Sequence, residues 1–459
     1  MHHPESLIAT QLKNDPRLIQ AKKLLLETLE DYQKKITTIK PPNSELEQSY
    51  HELLETFMNL RGGKLYFPYI GSGIGKGALV ELLDGSIKYD MISGIGAHFW
   101  GHNHPDLLFS TIDAALSDTI MQGHLQQNVD ALELSELLIS ASGLDHCFLS
   151  STGVMANENA LKIAFQKKAP AHRVLAFEHC FMGRTLAMSQ ITDKPSFREG
   201  LPSSLHVDYI PFYNVNNPKE STDLAVSMLR KHLSRYPKQH AAMCFELVQG
   251  EGGFFPGTTE FFTALMKILK EHDIAIIIDE VQTFGRTPAL FAFQYFNLQD
   301  YVDIVTVGKL SQVCSTLFRT NYKPQPGLLS QTFTSSTAAI QAAKVIINSL
   351  LQDNYFGPNG KIIKVHEHFA KNFKEIETKY PHLIKGPYGL GAMIAFTPYD
   401  GDFHRVTKFI HELFKAGVIS FIAGSHPARV RFLVPMGAIK PTDIDLVTEI
   451  VQNVLLSDA

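Results

Sequence analysis

The sequence predicts an α/β fold, in which a largely parallel sheet is covered by helices and a smaller α+β unit lies beside it. Short β-branched runs, such as residues 274–278 and 302–307, are typical of strands that are buried on both faces. From about residue 115 to 345 such runs alternate with helical segments, which is the pattern of a parallel sheet. After about residue 345 the order changes to helix, short strands, helix, which indicates the second unit.

The individual elements follow from the same patterns. The polar start of the chain predicts two or three helices, and a glycine-rich stretch at 71–77 precedes a hairpin signal around Asp84-Gly85. The predicted strands of the alternating region are 146–149, 174–177, 242–248, 275–278 and 303–307. The predicted helices of that region are 158–168, 222–235 and 260–272. The C-terminal unit is predicted to contain 361–379, 391–396, 403–415, 429–432 and 442–455.

The chain of 459 residues is long enough for two domains. We expect a helical N-terminal extension at residues 1–60 and a large domain at residues 116–345. Residues 61–115 and 346–459 are expected to form the small domain together.

Composition excludes several classes of protein. Hydrophobic residues make up 44% and charged residues 19%, which is ordinary for a soluble globular protein. The net charge of −4 does not favour binding to nucleic acid or to an anionic membrane. No apolar stretch approaches the roughly 18 residues of a membrane span, and the first residues do not resemble a signal peptide. We therefore expect a cytoplasmic protein.

Neither cysteine nor histidine predicts a metal site. Cys147, Cys180, Cys244 and Cys314 are scattered without metal-ligand spacing, and they are expected to be reduced. His98, His102 and His104 lie close together, but no cysteine or carboxylate cluster completes a set of ligands. A packed turn is the better interpretation, and no metal is expected.

Asp279 and Lys309 each follow a buried run, so they are expected at the carboxyl ends of strands. That edge of an open α/β sheet is where ligands usually bind. A carboxylate and an amine delivered there together suggest a cofactor enzyme whose lysine makes a Schiff base. Taken singly, the aspartate could cap a helix and the lysine could lie in solvent.

Other polar residues follow neighbouring strands. Thr152 and Gly153 begin a helix, where free N–H groups bind anions, although a simple helix cap has the same pattern. Phe181 could stack on a planar cofactor and Arg184 could bind a carboxylate, or they could be a core aromatic and a surface arginine. Glu251 could neutralise an arginine or could be solvated. These residues follow successive predicted strands in one order. Their combination indicates a cofactor site more specifically than any single residue does.

These residues lie in stretches that resemble signatures of the class III (ω-type) aminotransferases, pyridoxal-phosphate enzymes of fold type I. The resemblance extends from about residue 62 to about residue 452. The stretches are Thr152-Gly153-Val154 with Ala156-Asn157-Glu158, Phe181-Met182-Gly183-Arg184-Thr185, Val248-Gln249-Gly250-Glu251-Gly252, Asp279-Glu280-Val281-Gln282-Thr283, Thr306-Val307-Gly308-Lys309, and Val430-Arg431-Phe432 with Pro435. The fold implied is a mostly parallel sheet of seven strands in the large domain, with a small α+β domain.

The resemblance implies a role for each residue that binds the cofactor. Lys309 would be the Schiff-base lysine and Asp279 the partner of the pyridinium nitrogen. The remaining contacts would be Gln282 to the phenolic oxygen, Gly153 and Val154 with Thr152 to the phosphate, and Phe181 to the ring face.

The resemblance also implies how substrates are held. Arg184 matches the arginine that binds the carboxylate of ω-amino substrates. Glu251 and Arg431 match a gating pair, in which the glutamate covers the arginine until 2-oxoglutarate binds. Thr332 matches a threonine that reaches the phosphate of the partner subunit, which implies a homodimer with shared active sites. Thr334 competes for this role, because the residues around it depart from the family pattern.

The function expected is transfer of the distal amino group of a basic amino acid to 2-oxoglutarate by a ping-pong mechanism, giving glutamate and a semialdehyde. The donor would be ornithine, N-acetylornithine or lysine; the stretch from Gly308 to Cys314 looks more like lysine 6-aminotransferases. One alternative is another class III enzyme, an aminomutase or a different ω-amino acid:ketoacid transaminase. A second is a non-catalytic paralogue that serves as a scaffold.

Overall fold

The computed structural model describes residues 6–118, 123 and 125–457. Its helices are α1 (Ile8–Lys13), α2 (Pro16–Gln33), α3 (Glu47–Arg61), α4 (Ser93–Gly96), α5 (Pro105–Ala115), α6 (Val129–Ser142), α7 (Gly153–Lys168), α8 (Met188–Ile191), α9 (Pro218–Arg235), α10 (Thr259–Glu271), α11 (Ala292–Tyr295), α12 (Thr337–Gln352), α13 (Lys361–Lys379), α14 (Phe403–Lys415) and α15 (Pro441–Ser457).

Its strands are β1 (Gly71–Lys76), β2 (Leu79–Leu82), β3 (Ile87–Asp90), β4 (His146–Ser150), β5 (Arg173–Phe177), β6 (His206–Ile210), β7 (His240–Glu246), β8 (Val248–Gln249), β9 (Phe255–Pro256), β10 (Ala275–Glu280), β11 (Ile304–Val307), β12 (Cys314–Phe318), β13 (Ile384–Leu390), β14 (Met393–Pro398), β15 (Val418–Ile419), β16 (Phe421–Ala423) and β17 (Arg429–Leu433).

The largest sheet has seven strands in the order β4-β12-β11-β10-β7-β5-β6. The described pairings are parallel except those of β12, which runs antiparallel to both β11 and β4. The predicted α/β class with a mostly parallel seven-stranded sheet is confirmed. Strands β6 and β12 were not among the predicted strands, and β12 is the one that joins β4 to the rest of the sheet.

Two smaller four-stranded sheets form from the segments before and after the large sheet. One has the order β1-β2-β3-β15, so that Val418, late in the chain, pairs with Tyr89, which lies early in it. The other has the order β13-β14-β17-β16. The glycine-rich stretch is strand β1, which pairs antiparallel with β2. The N-terminal helix α2 packs against α5 and β1, and Gln33 donates a hydrogen bond of 2.8 Å to the Gly75 carbonyl.

Strand register brings the ends of the central strands to one edge. In β10, Asp279 is paired with Glu246 of β7 on one side and with Thr306 of β11 on the other. All residues of β10 are buried, because helices cover both faces of the central sheet. The loops that follow these strands therefore leave the sheet side by side. In the described ranges, no helix has both the length and the apolar character that a membrane crossing requires.

Candidate active site

Asp279 and Lys309 lie at the edge of the seven-stranded sheet where strands β10 and β11 end. Burial shifts the pKa of both side chains. Lys309 follows β11, begins a short 3-10 turn, and has a left-handed backbone with φ of 52°. Burial lowers the pKa of the Lys309 amine to about 8, although the Asp279 carboxylate opposes this shift. Burial raises the pKa of Asp279, although hydrogen bonds from Asn157 and the Val281 amide and the Lys309 charge oppose it. A lysine with such a pKa is neutral more often near pH 7 to 8 than a solvated one.

Asn157, which the sequence analysis left without a role, orients the Asp279 carboxylate. Its Nδ2 donates 2.7 Å to Asp279 Oδ2 and 2.9 Å to the Met182 carbonyl. Its Oδ1 accepts a hydrogen bond of 2.6 Å from the Thr306 hydroxyl, so the amide orientation is determined by its partners. The clue in the sequence was that Asn157 lies within the Ala156-Asn157-Glu158 stretch, which resembles a signature of the family. A buried side chain of α7 therefore joins β10, β11 and the loop after β5.

Val281 lies between the start of α7 and the backbone before Lys309. A Cβ atom at Gly153 would lie 2.8 Å from Val281 Cγ1, and one at Gly308 would lie 3.2 Å from the same methyl and 2.8 Å from Cys314 Sγ. Glycine is therefore required at both positions by close approach. The helix N-terminus, the end of β10 and the lysine turn consequently surround one valine side chain.

The start of α7 has the N-cap and partly exposed first turn that the sequence predicts for an anion site. Thr152 is the N-cap residue, and its hydroxyl accepts a hydrogen bond of 3.3 Å from the Met155 amide. The N–H groups of Gly153 and Val154 lie in the first turn, where no intrahelical acceptor exists. The side chain of Val154 contacts Gly183, whose φ of 128° and close approach also require glycine. The loop that carries Phe181 and Arg184 is thus held against this turn.

Phe181 and Gln282 lie beside the end of β7 and the turn after β8. The Phe181 amide donates 3.0 Å to Glu246 Oε2, and the Gly250 amide donates 2.9 Å to Glu246 Oε1. Burial, with a smaller effect of the Asp279 charge, raises the pKa of Glu246 to about 8. A Cβ atom at Gly250 would lie 2.3 Å from Gln282 Oε1, so the glycine turn after β8 leaves room for this amide.

Glu251 and Arg431 form an ion pair. Arg431 Nη2 lies 2.9 Å from Glu251 Oε2, and its Nη1 donates 3.2 Å to the Gly250 carbonyl. The arginine side chain is only 2% exposed, so its charge is withdrawn from solvent and the glutamate covers it. Lys194, another residue without an assigned role, places Nζ 3.3 Å from Glu251 Oε1.

Arg184 is exposed and stacks on an aromatic ring. Its guanidinium carbon lies 3.8 Å from the centre of the Phe197 ring, which in turn meets Phe181 edge-on at 6.3 Å. The Tyr66 ring lies 4.7 Å from that of Phe421, whose centre is 5.3 Å from the Arg431 guanidinium carbon. Burial, together with the Glu251 charge, raises the pKa of Tyr66 to about 12. Neither Phe197 nor Tyr66 was singled out, because an aromatic residue in a loop carries no local signal of the site it lines.

Thr332 lies apart from these residues. It is exposed in the loop before α12, and its carbonyl is near the position of a Cβ at Gly123. Thr334, the competing residue, is buried. The other candidate cofactor- and substrate-binding residues belong to the connected set around Val281, Gly250 and the Glu251–Arg431 ion pair.

Pyridoxal phosphate, the cofactor that the resemblance implies, fits the residues present. Gln282 Oε1 is buried and has no hydrogen-bond partner in the described part of the chain. Because amide oxygen and nitrogen exchange on rotation, a phenolic oxygen could satisfy this side chain. The free N–H groups of α7 suit the phosphate, the Asp279 carboxylate suits the ring nitrogen, and the Lys309 amine suits the aldehyde. Over the described residues, no group of three or more His, Cys, Asp or Glu could hold a metal ion.

Comparison with known proteins gives aminotransferases among the relatives and among the solved structures. The chain is 28% identical over 386 residues to acetylornithine aminotransferase from Archaeoglobus fulgidus, covering 83% of this chain and 94% of that one. It is 29% identical over 381 residues to diaminobutyrate–2-oxoglutarate transaminase from Sporosarcina pasteurii, covering 78% and 86%. The solved lysine aminotransferase of M. tuberculosis has the same fold, with a TM-score of 0.79 at 24% identity over 89% of this chain and 99% of that one.

The model of the family described as "Aminotransferase class-III" matches residues 70–455, which is most of the chain. This match covers the seven-stranded sheet, both four-stranded sheets and every candidate site residue predicted from the sequence. The chain therefore belongs to the class-III aminotransferases, and its cofactor is pyridoxal phosphate.

Proposed function

We propose that this aminotransferase moves the distal amino group of a basic amino acid to 2-oxoglutarate by a ping-pong mechanism, giving a semialdehyde and glutamate. The observation that carries the proposal is the presence of two arginines with different exposure. Arg184 is open to solvent, whereas Arg431 is buried and covered by Glu251. A donor with one carboxylate needs the first arginine alone, and a dicarboxylate acceptor needs a second cation. The diaminobutyrate–2-oxoglutarate transaminase and acetylornithine aminotransferase relatives support these substrate classes.

When bound, pyridoxal phosphate supplies an aldehyde for the substrate amine and a ring that withdraws electrons from the substrate carbon. Asp279, held by Asn157, keeps a proton on the ring nitrogen. Lys309 binds the aldehyde between turnovers and then, as a free amine, moves a proton between the substrate carbon and the cofactor carbon. Its low pKa allows it to accept that proton near neutral pH.

The gating pair allows one site to accept both substrates. With Glu251 on Arg431, the buried positive charge is neutralised, so the site favours a donor whose reacting, amine-bearing carbon carries no carboxylate. The α-carboxylate of 2-oxoglutarate, next to the reacting keto carbon, displaces Glu251 and forms a charge-assisted pair with Arg431, while the remote γ-carboxylate takes the place of the donor carboxylate on Arg184. The donor carboxylate binds Arg184, which the Phe197 ring holds in place.

We also propose a division of the chain into domains and an assembly of two chains. Residues 116–345 form the cofactor-binding domain, residues 61–115 and 346–459 the small domain, and residues 1–60 an extension. Two chains form a homodimer, in which Thr332 or Thr334 of one chain reaches the phosphate bound by the other.

Separate half-reactions test the proposal. We expect Arg184→Ala to lower kcat/KM for ornithine, N-acetylornithine or lysine by at least about tenfold, because a hydrogen-bonded charge pair is lost. Arg431→Ala is expected to lower kcat/KM for 2-oxoglutarate by a similar factor and to affect the donor less. Each half-reaction is followed by the change in cofactor absorbance. If Arg431→Ala impaired the donor half-reaction as much as the 2-oxoglutarate half-reaction, the assignment of Arg431 to the acceptor alone would be wrong.

A further inference from the structure

Glu251 has two cationic neighbours, not one. Lys194 Nζ lies 3.3 Å from Glu251 Oε1, and Arg431 Nη2 lies 2.9 Å from Oε2, so a single carboxylate joins two cations. The cations differ in environment, because the Lys194 side chain is 40% exposed and that of Arg431 is 2% exposed. The glutamate thus connects a buried charge to one at the mouth of the site.

The backbone and an aromatic ring hold Lys194 at this mouth. The preceding residue, Asp193, accepts a hydrogen bond of 2.8 Å from the His179 amide, and its own amide donates 3.0 Å to the Cys180 carbonyl. The Phe197 ring, one turn later, lies 4.5 Å from Lys194 Nζ. Lys194 is therefore anchored next to the loop that carries Phe181.

We propose that Lys194 is a positioning residue that receives Glu251 when a dicarboxylate displaces this glutamate from Arg431. It thereby favours binding of dicarboxylates over binding of monocarboxylates. This inference rests on the proposed gating pair, and it adds to that pair the place to which the glutamate moves.

The physical reason is the solvation of the displaced carboxylate. Without Lys194, Glu251 would exchange an ion pair for water alone when it leaves Arg431. With Lys194, the displaced glutamate keeps one cation, and its carboxylate is no longer shared between Lys194 and Arg431. The lysine therefore stabilises the displaced state more than the covered state. A partly exposed ion pair of this kind corresponds to about a two- to fivefold change in affinity.

Two ligands that differ only at one end test the proposal. Glutarate has a carboxylate where valerate has a methyl group, and neither can react. Dissociation constants are measured for the holoenzyme by titration of the cofactor absorbance. We expect Lys194→Met to weaken glutarate about two- to fivefold and to leave valerate unchanged. KM for 2-oxoglutarate should rise by the same factor at constant kcat, and Lys194→Arg should restore both values.

The matched control is Lys374→Met. Lys374 is a surface lysine whose side chain is 69% exposed, and it also pairs with a glutamate, Glu377. The Lys374→Met substitution should leave the affinity for glutarate and for valerate unchanged. Equal weakening of glutarate and valerate by Lys194→Met, or no weakening of glutarate, would overturn the proposal.

The same substitution made in a Glu251→Ala variant tests the role of Lys194 separately from the proposed Glu251–Arg431 gating pair. In Glu251→Ala, the Lys194→Met change should have no further effect on glutarate, because no glutamate remains to be received. If the effect persisted, Lys194 would bind the dicarboxylate directly, and the proposal would be wrong. If Glu251→Ala alone left the ratio of glutarate to valerate affinity unchanged, the gating pair would fail, whatever Lys194→Met did.

Discussion

Asn157 donates a hydrogen bond of 2.7 Å to Asp279 Oδ2, although the two residues are 122 positions apart in the chain. The other oxygen of the carboxylate accepts a hydrogen bond of 2.8 Å from the Val281 amide. Both oxygens are thus oriented, and each keeps a lone pair for a further donor. The helix that begins at the proposed phosphate site therefore also orients the carboxylate proposed to bind the ring nitrogen.

Asn157→Ala should lower kcat by about tenfold or more. The substitution removes a hydrogen bond to a buried charge, worth about 1.5–3 kcal/mol, and it raises the pKa of Asp279 further, so the ring nitrogen is protonated less. Steady-state kinetics together with the cofactor spectrum would measure this effect. Asn372→Ala is the control, because Asn372 also donates to an aspartate, Asp445, but on the surface. An unchanged kcat in Asn157→Ala would show that the carboxylate does not need this support.

The capture of pyridoxal phosphate by the cofactor-free enzyme should depend on pH through Lys309. Burial lowers the pKa of this amine from its ordinary 10.5 to about 8, and the neutral amine is the nucleophile. The rate should therefore rise with pH up to about 8 and then level off. Borohydride trapping at timed intervals, read by mass spectrometry, would give the profile, and Lys309→Ala should trap nothing. A rate that continued to rise to pH 10 would indicate a solvated lysine.

Glu246 could affect the same profile, because burial raises its pKa to about 8 as well. The profile should therefore be repeated in Glu246→Gln. We expect the plateau to remain near pH 8 in this variant, since its cause is the burial of Lys309. Loss of the plateau would assign the pH dependence to the glutamate.

Gly153→Ala should weaken binding of pyridoxal phosphate. The added methyl would lie 2.8 Å from Val281 Cγ1, so the start of α7 must move away from the end of β10. Overpacking of this kind costs about 1–3 kcal/mol, or about five- to 150-fold in the dissociation constant. Equilibrium dialysis of the cofactor would measure it. Gly63→Ala is the control, because a methyl there meets nothing within 4 Å; equal affinity in both variants would contradict the prediction.

Mixed dimers should reveal whether Thr332 acts across subunits. We expect Thr332→Ala to weaken the binding of pyridoxal phosphate. Mixing these chains with Lys309→Ala chains should restore tight binding in one of the two sites of each mixed dimer. A restored site would combine Lys309 of the Thr332→Ala chain with the threonine of the other chain. No recovery on mixing would mean that Thr332 acts within its own chain or not at all. Parallel mixing with Thr334→Ala would test the competing residue.

The sequence by itself determined the class of fold and most of the candidate residues. Burial on both faces leaves a continuous β-branched run, and the polar residue after such a run must lie where the strand ends. Asp279 and Lys309 were found in this way, and helices α13 and α14 have the predicted limits. The spacing of apolar residues shows which side of a segment is buried. It therefore predicts a helix or strand without knowledge of the elements that pack against it.

The tertiary structure alone decided which residues meet. The position of β12 between β4 and β11, the Asn157–Asp279 hydrogen bond, the close approach of Gly153 and Gly308 to Val281, and the contact of Lys194 with Glu251 all depend on strand order and loop packing. Each of these contacts joins segments far apart in the chain or depends on how a loop folds back. These contacts are stabilised because both partners are removed from solvent and because opposite charges pair. Neither effect can be found from one segment considered alone.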